Sequence, residues 1–122
     1  MRIGIIGKTN KQEVFGITDD LCKWLKERGI ETYVESEIGF KIGHLNSIPR
    51  ERLPEHSDVV LVFGGDGTFL DVARLVCRYN IPILGVNLGG LGFLTEITTD
   101  ELRPAVEEII NGNYVVEKRE ML

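Results

Sequence analysis

Apolar residues along this chain alternate between short continuous runs and stretches with helical spacing. The run at residues 3–6 predicts a first strand, and apolar residues three and four positions apart between Val14 and Leu25 predict a helix that ends near Gly29. Residues 31–34 predict a short second strand. The beginning of the chain is therefore predicted to form a strand-helix-strand unit.

The next stretch, residues 36–57, shows no steady hydrophobic period. It contains glycines and prolines, which favour turns, at Gly39, Gly43, Pro49 and Pro54. This composition predicts a long loop between the second strand and the third.

Beyond that loop the pattern of strand and helix returns. Residues 58–63 are almost wholly apolar, as in a strand covered on both faces. Residues 68–79 carry polar side chains on one face only, which predicts a largely buried helix. Residues 83–86 predict a fourth strand.

The last predicted elements are one helix and one strand. A capping box at residues 98–101 begins a helix that ends near Gly112, and residues 114–116 predict a fifth strand. The order of elements indicates the α/β class, with an open, mainly parallel sheet and helices on both faces. We expect this domain to occupy residues 1–116.

Composition and charge are those of an ordinary globular domain. Of the 122 residues, 43% are hydrophobic and 27% are charged, and the formal net charge of −5 offers no basic field for nucleic acid or an anionic membrane. No apolar run approaches the roughly 20 residues that span a bilayer, and no signal-peptide pattern opens the chain, so a cytoplasmic protein is expected. Cys22 and Cys77 lack metal-ligand spacing and are expected to be buried, reduced thiols.

Two glycine-rich segments follow apolar strands, FGGDGTFL at residues 63–70 and NLGGLGFLTE at residues 87–96. In open α/β sheets ligands bind outside the carboxyl ends of the strands, so the two loops together predict one cleft. The glycines of the first loop let backbone N–H groups approach an anion closely, at a helix N-terminus whose dipole favours negative charge.

The common phosphate-binding motifs do not match this cleft. No lysine follows the glycines of the first loop, which excludes a Walker motif, and Leu70 occupies the third glycine position of the dinucleotide fingerprint. Residues 7–9 (GKT) also fail as a Walker motif, because Arg2 stands where that motif needs its first glycine. A redox enzyme with this fingerprint is therefore disfavoured.

Asp66 has two interpretations, which are not exclusive. Aspartate is among the best N-cap residues, so Asp66 is a candidate cap for the following helix. Alternatively, its carboxylate faces a hydroxyl nucleophile and takes the proton as that hydroxyl attacks a phosphate, as carboxylates do in kinases.

The two loops together resemble the ATP-NAD kinase family, which includes the inorganic polyphosphate/ATP-NAD kinases. GGDGT at residues 64–68 is shared with diacylglycerol and sphingosine-type lipid kinases and with phosphofructokinases, and GVNLGGLGFLTE at residues 85–96 makes the resemblance specific. The whole chain resembles the N-terminal α/β domain of that family. Residues 117–122 resemble the start of the junction to a β-rich second domain, which this chain lacks.

The resemblance implies a kinase that transfers the γ-phosphate of ATP to the 2'-hydroxyl of the adenosine ribose of NAD, which gives NADP. Asp66 is the implied catalytic residue, since it would accept the proton of that hydroxyl. The nucleotide-binding residues implied by the resemblance are Gly64, Gly65, Asp66, Gly67, Thr68, Asn87, Gly89, Gly92 and Phe93.

No protein metal site is expected, because Mg²⁺ would arrive with ATP. The resemblance also implies a homo-oligomer in the complete protein, small-molecule nucleotides as ligands, and little activity for these 122 residues alone. Two other functions stay open from the sequence: a nucleotide-binding module without catalysis, and a relative of the lipid kinases named above.

Several single residues have simpler interpretations than a ligand contact. Arg74 is expected to pair with Asp71 on the helix surface, and His44 and His56 are expected to be solvated. Asn87 could equally cap a turn, and the Phe93 ring could equally belong to the core.

Overall fold

The computed structural model describes residues 1–88 and 97–113, which form a sheet with helices on both faces. The six strands are β1 Arg2–Gly7, β2 Glu31–Glu35, β3 Ser47–Ile48, β4 Val59–Gly64, β5 Ile83–Asn87 and β6 Ile97–Thr98. The α-helices are α1 Glu13–Glu27, α2 Ser36–Ile42, α3 Asp66–Val76 and α4 Leu102–Ile110. Short 3₁₀-helices cover Arg50–His56, Cys77–Tyr79 and Thr99–Glu101.

All six strands are parallel and follow the order β3-β2-β1-β4-β5-β6. Within the sheet β1 lies between β2 and β4, and it pairs Gly4 with Tyr33 on one side and with Val60 on the other. Helices separate most pairs of consecutive strands, which is how parallel neighbours are connected. The predicted α/β fold with an open parallel sheet is confirmed.

Strand β4 runs through the middle of the molecule, and every one of its residues is buried. Leu61 and Phe63 pack in a core with residues of α1, α2 and α4. Val60 and Val62 point to the other face and pack in a second core with α3 and Leu53. Because both faces of β4 are covered, its sequence is continuously apolar rather than alternating, as predicted.

The prediction of a long loop over residues 36–57 is wrong. Helix α2, strand β3 and a 3₁₀-helix occupy most of it. Gly39 allows α2 to approach β3, since a Cβ there would lie 2.0 Å from Ser47 Oγ. Gly43 ends α2 with φ at +72°, a conformation that favours glycine. Gly39 and Gly43, which predicted turns, are therefore part of helix α2 and of its C-terminal cap.

The predicted capping box is confirmed at the start of the last helix. The backbone N–H of Thr98 donates to Glu101 Oε1 at 3.1 Å, and the resulting 3₁₀ turn continues into α4. Pro104 lies in the first turn of α4, where a missing N–H leaves no helical hydrogen bond unmade. The two-residue strand β6 was not predicted, and the predicted strand at residues 114–116 and the boundary at 116 lie outside the described residues.

Burial differs between the two cysteines. Cys22 is buried, and burial raises the pKa of its thiol to about 11. Cys77 is exposed, so the prediction that it is buried is wrong. It follows Val76 at the end of α3, and its sulfur faces solvent beside the Arg74 carbonyl oxygen, 3.2 Å away.

The two histidines were predicted to be solvated, but both are half-buried and contact other residues. His44 is half-buried, and its Nε2 lies 3.0 Å from the Thr32 carbonyl oxygen, which fixes the turn after α2 against β2. The His56 ring stacks on Tyr33 with centroids 5.3 Å apart. Within residues 1–88 and 97–113, no helix combines the length and apolarity needed to cross a membrane.

Candidate functional site

The order of the strands creates a crevice at one edge of the sheet. From β1 the chain proceeds outward to β2 and β3, and it then returns to β4 on the other side of β1. In open α/β sheets, ligands bind outside the carboxyl ends of the strands at such a reversal. Here those carboxyl ends are Gly7 of β1 and Gly64 of β4.

Hydrogen bonds hold three strand ends side by side at this edge. Gly7 is opposite Phe63, and the backbone N–H of Lys8 donates to the Phe63 carbonyl oxygen at 2.9 Å. On the other side Gly64 is opposite Asn87, and the backbone N–H of Leu88 donates to the Gly64 carbonyl oxygen at 3.2 Å. The predicted site residues Gly64 and Asn87 are therefore neighbours across two strands.

The turn after β4 leads directly into α3. Gly65 is the N-cap residue, with extended backbone angles, and its carbonyl oxygen accepts the first helical hydrogen bond from Phe69 N–H at 3.0 Å. The N–H groups of residues 66–68 precede that bond and have no acceptor within the helix. The amino end of α3 thus directs N–H groups and the positive end of its dipole toward the crevice.

Packing explains only one of the three glycines in this turn. A Cβ at Gly64 would lie 2.9 Å from Thr68 Cβ, which is too close, so glycine lets the first turn of α3 pack on the strand. A Cβ at Gly65 or Gly67 would meet no described atom within 4 Å. Gly65 has a φ of −116°, which any residue adopts. Among residues 1–88 and 97–113, nothing therefore fills the space beside residues 65 and 67.

Asp66 lies between those two open positions and is half-buried. The hypothesis that it is the N-cap is wrong, because Gly65 caps the helix and Asp66 is its first residue. A carboxylate in the first helical turn is stabilised by the helix dipole. Its contact with a hydroxyl substrate stays a prediction.

An ion pair between half-buried Arg50 and buried Glu35 adjoins the same edge on the β2 side. Arg50 pairs through Nε with Glu35 Oε2, and its Nη2 reaches the Gly7 carbonyl oxygen at 3.5 Å. The Glu35 carboxylate raises the pKa of the Arg50 guanidinium, so this cation stays charged. Sequence motifs did not identify this pair, because its members are 15 residues apart and Arg50 lies in the stretch predicted to be a loop.

The structure brings together most of the predicted site residues at this edge. These are Gly64, Gly65, Asp66, Gly67, Thr68 and Asn87. Gly89, Gly92 and Phe93 lie outside the described residues. In the described part of the chain, no group of three or more His, Cys, Asp or Glu residues has an arrangement that could hold a metal ion.

Arg74 is not among the residues at these strand ends, because it lies in the last turn of α3. Its Nη1 lies 3.8 Å from Asp71 Oδ1, and both side chains are exposed on α3. The predicted surface pair is confirmed.

Comparisons with known proteins agree on one family. A family model described as the ATP-NAD kinase N-terminal domain matches residues 3–114. An NAD kinase from Geotalea daltonii is 46% identical over 121 residues, which cover 99% of this chain and 43% of that protein. An NAD kinase from Pseudomonas entomophila is 44% identical over 122 residues, with 98% of this chain and 41% of that protein covered.

A solved structure shares the fold. The crystal structure of a yeast NADH kinase complexed with NADH superposes with a TM-score of 0.80, over 93% of this chain and 38% of that chain, at 19% sequence identity. This likeness concerns the fold alone. The chain spans less than half the length of the relatives and of the structure it matches.

Proposed function

This chain belongs to the ATP-NAD kinase family, and we propose that the complete protein phosphorylates NAD with ATP to give NADP. The acceptor is the 2'-hydroxyl of the adenosine ribose. The relatives named NAD kinase favour this activity over a lipid kinase or a binding module without catalysis. The yeast relative complexed with NADH supports a dinucleotide as ligand.

The observation that carries the proposal is the open space at residues 65 and 67. Neither packing nor backbone conformation requires a glycine at Gly65, and a Cβ at Gly67 would meet no described atom within 4 Å. A phosphate in that space would approach the N–H groups at the amino end of α3 without a steric barrier. Glycines at these positions are therefore explained by a bound nucleotide.

Asp66 supplies the proton acceptor in this mechanism. The 2'-oxygen attacks the γ-phosphorus, the bond from that phosphorus to the β,γ-bridging oxygen breaks, and ADP leaves. The hydroxyl proton passes to the Asp66 carboxylate. In phosphoryl transfer most of the catalysis comes from positioning and charge stabilisation, so the location of Asp66 between two open glycine positions matters more than its basicity.

Asp66 would also repel the phosphates, and two features offset that repulsion. The dipole of α3 and the N–H groups at its amino end favour negative charge at this position. The described residues contain no group of His, Cys, Asp or Glu that could hold a metal ion, and we propose that Mg²⁺ arrives bound to ATP, where it would neutralise phosphate charge.

The NAD side of the crevice lies toward β5. Asn87 ends β5 opposite Gly64, and it leads into the second glycine-rich loop, to which Gly89, Gly92 and Phe93 belong. We propose that these residues bind the adenosine half of NAD. The ribose would then lie beside Asp66, with the donor phosphates on the other side of the turn.

The proposal is tested by NADP formation in the complete protein with NAD, ATP and Mg²⁺. Asp66→Asn should lower the rate about 10²- to 10⁴-fold, the usual contribution of general acid–base catalysis. Asp71→Asn is the matched control, because Asp71 is an exposed aspartate of the same helix, and it should leave the rate unchanged. An active Asp66→Asn variant, or a parent that makes no NADP with either ATP or polyphosphate, would refute the proposal.

We also propose that the complete protein is a cytoplasmic homo-oligomer, as the family resemblance implies. These 122 residues alone should turn over slowly, because they span less than half of their relatives. Light scattering on the complete protein measures its mass, and a monomer would contradict the proposed assembly.

A further inference from the structure

The segment between β1 and α1 lies beside the glycine-rich turn. Because Gly7 is opposite Phe63 and the Lys8 N–H bonds to Phe63, Lys8 lies opposite Gly64. Neighbouring strands are about 4.8 Å apart, so the Lys8 backbone is one strand spacing from the turn. A lysine side chain on that backbone has the length to reach a phosphate held at the amino end of α3.

Lys8 is a cation without a protein counterion in the described residues. It is exposed, and none of the ion pairs among residues 1–88 and 97–113 includes its ammonium group. The nearby cation Arg50 is already paired with the buried carboxylate of Glu35. Lys11 is also exposed and is in none of these ion pairs, but Lys8 is the lysine that lies opposite Gly64.

The backbone that carries Lys8 is fixed by contacts on several sides. A Cβ at Gly7 would lie 2.7 Å from Val14 Cγ2 and 3.1 Å from Ile38 Cδ1, so α1 and α2 close tightly around the end of β1. The Thr9 hydroxyl donates to Glu37 Oε2 at 3.1 Å. A fixed backbone lowers the entropy that a bound ligand would cost.

The Arg50–Glu35 pair adds a further restraint to the same backbone. Glu35 is 3% exposed, and its Oε1 has no hydrogen-bond partner in the described part of the chain. The Arg50 side chain is 34% exposed, so solvent screens the pair and its net contribution to stability is small. The Nη2 of the same Arg50 guanidinium reaches the Gly7 carbonyl oxygen at 3.5 Å, so the pair restrains the residue before Lys8.

We propose that the segment at residues 8–11, between β1 and α1, is the second wall of the phosphate site, in which Lys8 binds the phosphates of the donor nucleotide. Arg50 is a positioning residue that acts through Gly7. The proposal rests on the proposed function for its ligand, a nucleoside triphosphate. It places the donor phosphates between Lys8 and the amino end of α3, with Asp66 on their far side from β1.

The test measures ATP binding to the complete protein by calorimetry, with Mg²⁺ and without NAD, so that no turnover is needed. Lys8→Gln should weaken ATP binding about tenfold, which corresponds to about 1.4 kcal/mol. Lys8→Arg keeps the charge and should retain most of the affinity. Lys26→Gln is the control, because Lys26 is an exposed lysine in the last turn of α1, at the end away from Lys8. This variant should bind ATP with the affinity of the parent.

A double-mutant cycle tests the role assigned to Arg50. Arg50→Gln should also weaken ATP binding. Its effect should largely disappear in the Lys8→Gln background, because both substitutions act on the same contact between Lys8 and the phosphates. A purely structural role would lower the unfolding temperature and leave the ATP dissociation constant of the folded protein unchanged. That result would overturn the positioning role of Arg50.

The outcomes separate this inference from the proposed function. Equal ATP affinity in the parent and in Lys8→Gln would overturn the inference even if NADP is formed. A parent that binds no ATP would overturn it as well. A parent that binds ATP through Lys8 but forms no NADP would contradict the proposed function and leave the phosphate wall supported.

Discussion

Replacing Gly67 by alanine should separate ligand binding from folding. Gly67 is the second residue of α3, and a Cβ there meets no described atom within 4 Å. Alanine in a helix is more stable than glycine by about 0.5–1 kcal/mol, because glycine loses more backbone entropy on folding. Gly67→Ala should therefore raise the unfolding temperature of the complete protein.

The same change should impair the kinase. The added Cβ would occupy space through which a phosphate approaches the N–H groups at the amino end of α3. We expect NADP formation by Gly67→Ala to fall at least about tenfold, a barrier increase of about 1.4 kcal/mol. A higher unfolding temperature together with a lower rate of NADP formation would show that the space beside Gly67 serves the ligand and not the folding of the protein.

Two glycines serve as controls. Gly16 lies inside α1, and a Cβ there also meets no described atom within 4 Å, so Gly16→Ala should add stability and leave the activity unchanged. Gly64→Ala places its Cβ 2.9 Å from Thr68 Cβ, and overpacking of that kind costs about 1–3 kcal/mol. It should lower the unfolding temperature.

Thermal unfolding and NADP formation are measured on the same preparations. Full activity of Gly67→Ala would show that the ligand does not use this space, and the reasoning from the glycines would be refuted. An unfolding temperature for Gly64→Ala at or above that of the parent would refute the packing argument.

Four further predictions follow from other parts of the structure. Thr98→Ala removes half of the capping box and should cost about 1 kcal/mol in the free energy of unfolding, measured in urea; no loss would contradict the cap. A thiol reagent at pH 8 should label exposed Cys77 and spare Cys22 until the protein unfolds, whereas equal labelling would contradict its burial. Because the folded pKa of Cys22, about 11, is above the ordinary 9.0, its contribution to stability should be present below pH 9 and lost as the pH rises from 9 to 11; in a urea series at these pH values, Cys22→Ala should reduce that loss. Glu107→Gln weakens the Arg28–Glu107 ion pair between α1 and α4, 2.6 Å long and partly exposed, and should cost no more than about 1 kcal/mol in the same assay.

The parts of the fold that were predictable have strong local patterns. Strand β4 is continuously apolar, so it follows from the sequence. Helix α3 follows from the sequence too, but the prediction that it is largely buried is wrong, because only Phe69, Val72 and Val76 are buried and Leu70 is 38% exposed. Helix α2 has only seven residues, and only Ile38 and Gly39 are buried, which is too short a stretch for a periodic signal. Contacts with the rest of the protein, such as Gly39 against Ser47, determine its structure instead.

The candidate site also has a part that could be predicted from the sequence and a part that could not. The glycine-rich turn was predictable, because its residues are contiguous and carry a motif. The neighbourhood of Lys8 and Arg50 was not, because it depends on which strands are neighbours, and the alternation of strands and helices does not specify the order β3-β2-β1-β4-β5-β6. The predicted N-cap, Asp66, is one residue beyond the observed N-cap, Gly65. Residue preferences at helix ends do not locate a helix start to within one residue.

The most direct test of the central claim follows the transferred phosphate. The complete protein is incubated with NAD and ATP labelled at the γ-phosphorus, and the labelled product is identified by NMR. Label on the 2'-oxygen of the adenosine ribose, formed by the parent and by Asp71→Asn but not by Asp66→Asn, is the predicted result. Label released only as inorganic phosphate, or the same labelled product from Asp66→Asn at the parent's rate, would contradict the account.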